Sequence, residues 1–257
     1  MRKLLPLIVL IIAACGDTNS PSLPEPLPGD ASPGGIWEGT NDLGSYVIGL
    51  VTEDGEFYLV DDFGQGYGFL SVDGNSVKAD YTYAPSLGET LPDGSVNADC
   101  ILSGTLVERD QLTFDTSCTT DLDNVSEVSF SLAFNSTYFH DSDLAILAGQ
   151  FDDYGAVLTI DDNGVLFEQD PATGCVLDGE AYIMDTDFNA YRLAFVMDNC
   201  QGDLAFLNGS EWYGIGSIDE DNLIGGEKLV FGAAAQIDFG FAFGIEAFAI
   251  VGVAPRL

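Results

Sequence analysis

The stretch CILSGTLVERDQLTFDTSC occupies residues 100–118, and CVLDGEAYIMDTDFNAYRLAFVMDNC occupies residues 175–200. Both begin with Cys-aliphatic-Leu-x-Gly, continue with Leu-x-Phe and end on a second cysteine. A motif that recurs at this separation is typical of one structural unit used twice in a chain. The sequence therefore predicts an internal repeat with one copy around each cysteine pair.

The similarity extends upstream of each cysteine pair. GIWEG at 35–39 parallels GQFDD at 149–153, so that Trp37 and Phe151 take equivalent places. A turn sequence with a central glycine follows in each copy, TEDGEF in the first and DDNGVLF in the second. We therefore expect two related lobes of about 100 residues.

Short runs of alternating apolar and polar residues fill both copies, and glycine-containing turns separate them. Glu53-Asp54-Gly55, Asp73-Gly74-Asn75 and Asp161–Gly164 each lie between two such runs. Period-two alternation around tight turns is typical of antiparallel hairpins. The predicted fold class is all-β, with two antiparallel lobes of about eight strands each, either small up-and-down barrels or sandwiches.

Large apolar residues alternate with small or acidic ones from Ile237 to Glu246. We expect a core strand of the second lobe here, whose aromatic face fills that lobe. A lipid-facing strand or a subunit interface is the alternative.

The N-terminus carries the features of an export signal. Arg2 and Lys3 precede an apolar run from Leu4 to Ile12, and Ala13-Ala14-Cys15 closes it. The run is shorter than the about 20 residues that a membrane-spanning helix needs. Ile12-Ala13-Ala14-Cys15 resembles the lipobox of bacterial lipoproteins. The resemblance implies cleavage before Cys15 and attachment of diacylglycerol to its thiol, which would anchor the chain to a membrane.

The segments that follow from these signals are five. They are a lipoprotein signal peptide at 1–14, a Pro/Ser/Gly tether at 15–35, a first β lobe at 36–136, a link at 137–146 and a second β lobe at 147–257. We expect the outer membrane as the compartment, with the folded part in the periplasm or at the cell surface.

Export would place the remaining cysteines in an oxidising compartment, where disulfides form. Four cysteines allow three pairings. The repeat favours Cys100–Cys118 and Cys175–Cys200, each within one lobe, and bridges between the lobes are the alternative.

The chain is strongly acidic. Without residues 1–14, five basic residues face 42 acids, which gives a net charge of −37. A field of this sign repels nucleic acid, so we expect none as a partner. The five basic residues are Lys78, Arg109, Arg192, Lys228 and Arg256.

Few residues indicate chemistry, and no catalytic residue is predicted. His140 is the single histidine, and the sequence has no nucleophile elbow, phosphate loop or dinucleotide fingerprint. Asp185, Asp187 and Asn189 begin like a calcium-binding loop, but the glycine and glutamate that should follow are absent. They remain weak candidates for loosely bound calcium, and no other cofactor is expected.

Two further resemblances are local or loose. TNDLGS at 40–45 looks like the first hairpin of avidin and streptavidin, which implies that Asn41 and Ser45 would contact biotin in such a protein. The lipobox, the tether and the repeated β lobe look like uncharacterised surface lipoproteins of proteobacteria. This second resemblance implies architecture and location, and no ligand.

Three functions follow in order of expectation. The first is a membrane-anchored, non-enzymatic lipoprotein that binds a protein partner or supports an envelope assembly. The second is a lipocalin-like carrier of a small apolar ligand. The third is a hydrolase with an acidic active site.

Overall fold

The computed structural model describes residues 29–153, 155–219, 227–238 and 245–257. The signal peptide, Cys15 and most of the tether lie outside the described residues, as do residues 239–244 of the alternating C-terminal stretch. In the described part, no helix is long and apolar enough to cross a membrane.

The first lobe is a closed antiparallel barrel. Its strands are β1 Gly35–Asn41, β2 Tyr46–Val51, β3 Glu56–Asp61, β4 Gly64–Phe69, β5 Ser71–Asp73, β6 Ser76–Pro85, β7 Ala98–Val107, β8 Gln111–Thr120 and β9 Val125–Asn135. Neighbouring strands pair in the order β4-β3-β2-β1-β9-β8-β7-β6, and pairing of β4 with β6 closes the ring of eight. The short β5 adds a hairpin with the start of β6.

A short link leads from the first lobe to the second. It contains a 3-10 turn at Ser136–Phe139 and the single helical turn α1 at Leu144–Leu147. The Asp143 side chain accepts a hydrogen bond from the backbone N–H of Ala145 and so caps α1.

The second lobe is a curled antiparallel sheet of eight strands. They are β10 Gly149–Asp153, β11 Ala156–Ile160, β12 Val165–Gln169, β13 Val176–Ile183, β14 Tyr191–Asp198, β15 Ser210–Asp219, β16 Lys228–Asp238 and β17 Ile245–Pro255. They pair in sequence order. The edges β10 and β17 meet at an isolated bridge between Phe151 and Arg256, so this lobe closes far less completely than the first.

Alternation places one face of each strand in a lobe core. Trp37 and Leu132 are buried inside the first lobe, and Phe151, Tyr191 and Trp212 are buried inside the second. The predicted all-β fold of two related antiparallel lobes is therefore confirmed, as is the number of strands in each.

The predicted disulfides are confirmed. Cys100 on β7 lies directly opposite Cys118 on β8, and the two are bonded. Cys175 and Cys200 are bonded at the corresponding place before β13 and after β14. Each bridge joins neighbouring strands of one lobe, as the repeat indicated.

The predicted turns also lie between paired strands. Gly55 in the β2–β3 turn has a φ of +91°, and a β-carbon there would lie 2.4 Å from the carbonyl oxygen of Leu70. The turn therefore needs glycine both for its backbone conformation and for its close packing.

The two lobes pack wall to wall through outward-facing apolar residues. Ile36, Ile48 and Leu50 of the first lobe are buried in one cluster with Ile215 and Val230 of the second. Polar contacts cross the same seam. The Gln65 side-chain amide donates to the carbonyl of Ala233 at 2.7 Å, and both terminal nitrogens of Arg192 donate to Glu56 at 2.6 and 2.5 Å.

Candidate functional site

An open groove of about 710 Å³ lies at the seam between the lobes. Strands β3 and β4 of the first lobe form one wall. The segment before β15, the start of β15 and the end of β16 form the other. The side chains that give it its character are Tyr58, Tyr67, Phe206, Glu211, Tyr213 and Gln236. We call it the tyrosine groove.

The sheet geometry explains why tyrosines line the groove. Tyr58 and Tyr67 are directly opposite each other on β3 and β4, so both side chains leave the same face of the barrel. Their rings stack at 6.2 Å with an interplanar angle of 20°. Tyr213 is next to the buried Trp212 on β15 and so points outward, with 53% of its surface exposed. The Tyr58 hydroxyl donates to the Tyr213 carbonyl at 3.1 Å, which ties the two walls together.

Polar groups lie among these rings. The Tyr213 hydroxyl donates to a Glu211 carboxylate oxygen at 3.0 Å. The Ser210 hydroxyl accepts a hydrogen bond from the indole N–H of Trp212 at 2.7 Å, which places a core tryptophan directly behind the groove wall. Gln236 is exposed at the groove edge. A ligand in the groove can therefore find both aromatic faces and hydrogen-bonding groups.

The groove stays neutral apart from Glu211. Burial raises the pKa of Tyr67 to about 12, against a smaller lowering effect of Thr82. Its hydroxyl is buried without a hydrogen bond of ordinary geometry to any described residue. Burial, followed by repulsion from Glu56, raises the pKa of Tyr58 well above its ordinary value. Neither phenol ionises at neutral pH, so the rings keep their electron-rich faces without carrying charge.

A second, smaller cavity of about 130 Å³ lies elsewhere on the same seam, between β2–β3 and β17. Both described cavities are therefore between the lobes and outside the barrel cores. The cores themselves are filled by large side chains, among them Trp37, Phe57, Phe151, Tyr191 and Trp212.

Two carboxyl groups occupy the inner face of the second lobe. Asp153 follows the core residue Phe151 at a spacing of two on β10, and Glu168 follows the core residue Leu166 in the same way on β12. Burial, then repulsion from neighbouring acids, raises the pKa of Asp153 to about 6 and that of Glu168 to about 7. Neither residue lines the tyrosine groove or the smaller cavity.

The calcium candidates lie in the turn between β13 and β14. The Asn189 side chain is buried, and its amide donates to the Ile218 carbonyl at 2.6 Å while its oxygen accepts from the Ile218 N–H. Asp185 accepts from the backbone N–H of Asp187 and so shapes the turn. Within the described ranges, no three His, Cys, Asp or Glu side chains are placed to hold a metal ion together.

The other residues that the sequence singled out have local structural contacts. His140 is exposed at the end of the 3-10 turn, where its N–H donates to the Thr137 carbonyl. Asn41 accepts hydrogen bonds from the N–H groups of Leu43 and Ser45 and so stabilises the β1–β2 turn.

The sequence reasoning missed the tyrosine groove. A signal existed in the outward positions of Tyr58 and Tyr67 within strands whose alternate residues are apolar, but nothing in the sequence indicated that the two lobes meet there. In comparisons with known proteins, no family model matches the chain and no curated protein matches it.

Proposed function

We propose that this protein is an exported lipoprotein that binds a partner in the cell envelope through the tyrosine groove and catalyses no reaction. The N-terminal signal, the lipobox cysteine at position 15 and the proline-rich tether support the location. A tether of this composition gives a folded domain reach without fixing its orientation, which suits a binding protein held at a membrane.

The observation that carries the binding function is the groove itself. It is concave and open, and it joins aromatic rings to a carboxylate and an amide in the same walls. Tyrosine is enriched where proteins bind one another, because its ring gives a large rigid contact and its hydroxyl a hydrogen bond. An apolar carrier needs an enclosed cavity, and the described cavities lie between the lobes instead.

Site-specific photocrosslinking in the native host tests this proposal. A photoreactive phenylalanine analogue replaces Tyr213 in the groove and, in a separate variant, Phe167 on the outer face of β12. Phe167 is a matched control because 46% of its surface is exposed, close to the value of Tyr213, and because it does not line the groove. We expect one discrete adduct from position 213, with an envelope protein identified by mass spectrometry, and none from position 167.

Adducts of equal yield at both positions would mean that the groove has no special role. The absence of any adduct at position 213, in cells where the protein is correctly folded and anchored, would also overturn the proposal. Folding of both variants is checked by the presence of the two disulfides.

A further inference from the structure

The structure holds one arginine in an aromatic box at the joint between the lobes. The Arg109 guanidinium forms an ion pair of 2.7 Å with Glu53, and the Tyr138 hydroxyl donates to the same Glu53 oxygen at 3.2 Å. Four aromatic rings have their centroids 5.1 to 5.8 Å from the guanidinium carbon: Phe134, Tyr138, Phe139 and Phe188. We call this group the Arg109 box.

The tyrosine groove has the same composition as the Arg109 box. It also presents four aromatic rings, from Tyr58, Tyr67, Phe206 and Tyr213, and one carboxylate, from Glu211. The carboxylate is held by a tyrosine hydroxyl in both places, by Tyr138 in the box and by Tyr213 in the groove. Electron-rich ring faces together with a carboxylate are what a guanidinium or ammonium group binds.

The groove differs from the box in its cation. None of the described residues that line it is lysine or arginine. Arg192 is the basic residue that acts electrostatically on Tyr58, and both of its terminal nitrogens already bind Glu56. The groove therefore offers aromatic faces and a carboxylate to a cation that comes from outside the chain.

We propose that the tyrosine groove binds an arginine-bearing segment of a partner protein, with the guanidinium against the tyrosine rings and paired with Glu211. This inference rests on the proposed binding function and names the chemistry of the partner. The groove is open along its length, which suits an extended segment better than a small free cation. The chain's net charge of −35 attracts such a segment over a distance and repels acidic competitors.

Calorimetric titration of the purified folded chain tests the proposal with defined probes. One probe is a short Gly-Ser peptide that carries arginines, and its matched control carries citrulline, which has nearly the same shape without the charge. A neutral oligosaccharide is the third probe. The fluorescence of Trp212, which contacts Ser210 in the groove wall, reports whether binding occurs there.

We expect the arginine peptide to bind at least about tenfold more tightly than the citrulline peptide, because charge and ring faces act together. Glu211→Gln should weaken binding about fivefold, and Tyr213→Leu by a similar factor. Glu127→Gln, which removes an exposed charge on β9 of the first lobe, should change it less than twofold.

Equal affinity for the citrulline peptide, binding of the oligosaccharide in place of the peptide, or equal losses in the Glu211 and Glu127 variants would each overturn the proposal. Failure here is distinguishable from failure of the proposed function. If crosslinking at position 213 succeeds and arginine has no effect, the groove is a binding site for a partner of other chemistry.

Discussion

Glu168→Gln should stabilise the protein at alkaline pH and have little effect at acidic pH. The carboxyl group lies on the inner face of β12, where burial, and then repulsion from Asp153 and Asp170, raises its pKa from 4.5 to about 7. A carboxyl group with a raised pKa in the folded state contributes stability that is fully present below its ordinary pKa. That contribution is lost as the pH rises through about 7.

The expected size follows from the shift. Each pKa unit corresponds to about 1.4 kcal/mol, so a shift of this size corresponds to about 3 kcal/mol at pH 8. The side chain keeps part of its surface in solvent, and it shares its repulsion with Asp153, so we expect a gain of about 2 kcal/mol from removing the charge. At pH 4.5 the native carboxyl group is already protonated, and the glutamine variant should lie within about 0.5 kcal/mol of the parent.

The measurement is urea unfolding at pH 4.5 and pH 8, followed by far-ultraviolet circular dichroism. Glu180→Gln is the matched control, because Glu180 is exposed on the neighbouring strand β13 and its loss changes the net charge equally. The reasoning is refuted if Glu168→Gln gains no more stability at pH 8 than at pH 4.5, or if the control shows the same pH dependence.

Further predictions concern the anchor, the disulfides and the joint between the lobes. Cys15→Ala should move the protein from the membrane fraction to the soluble fraction, and continued sedimentation with membranes after alkaline washing would contradict the lipid anchor. Replacing both Cys100 and Cys118 by serine should lower the free energy of unfolding by about 3 kcal/mol, since the bridge closes a loop with a sequence separation of 18. A loss below about 1 kcal/mol in chemical denaturation would refute that value. Arg109→Met should cost about 2 kcal/mol, because it leaves Glu53 unpaired and empties the aromatic box. An unchanged unfolding midpoint would show that the box contributes nothing to stability.

The fold could be predicted from the sequence because its determinants are local and repeated. Alternation places Trp37 and Phe151 in equivalent core positions, and the cysteines of each copy face each other across one hairpin. These features depend on residues that are neighbours in sequence or in one hairpin. They are therefore visible without knowledge of how the lobes pack.

The site could not be predicted because its parts are far apart in the chain. Tyr58 and Tyr213 meet only after the outer walls of two lobes pack together, and alternation alone does not distinguish an outward tyrosine in solvent from one at a seam. The Asx turns at Asn41 and Asp185 illustrate the opposite error. Their side chains gave recognisable local motifs, but the structure uses them to shape turns.

The groove lies where the two copies of the repeat differ. The motifs align β1–β3 with β10–β12, and β7–β8 with β13–β14. The first lobe inserts β4 and β6 before its cysteine strands, whereas the second adds β16 and β17 at its end. Tyr67 lies on the inserted β4, and Gln236 lies on the added β16. The shared strands build two filled cores, while the unshared ones meet at the seam and supply part of each groove wall. A binding surface made from unshared elements can change without disturbing either core, so the repeat conserves architecture and its departures carry recognition.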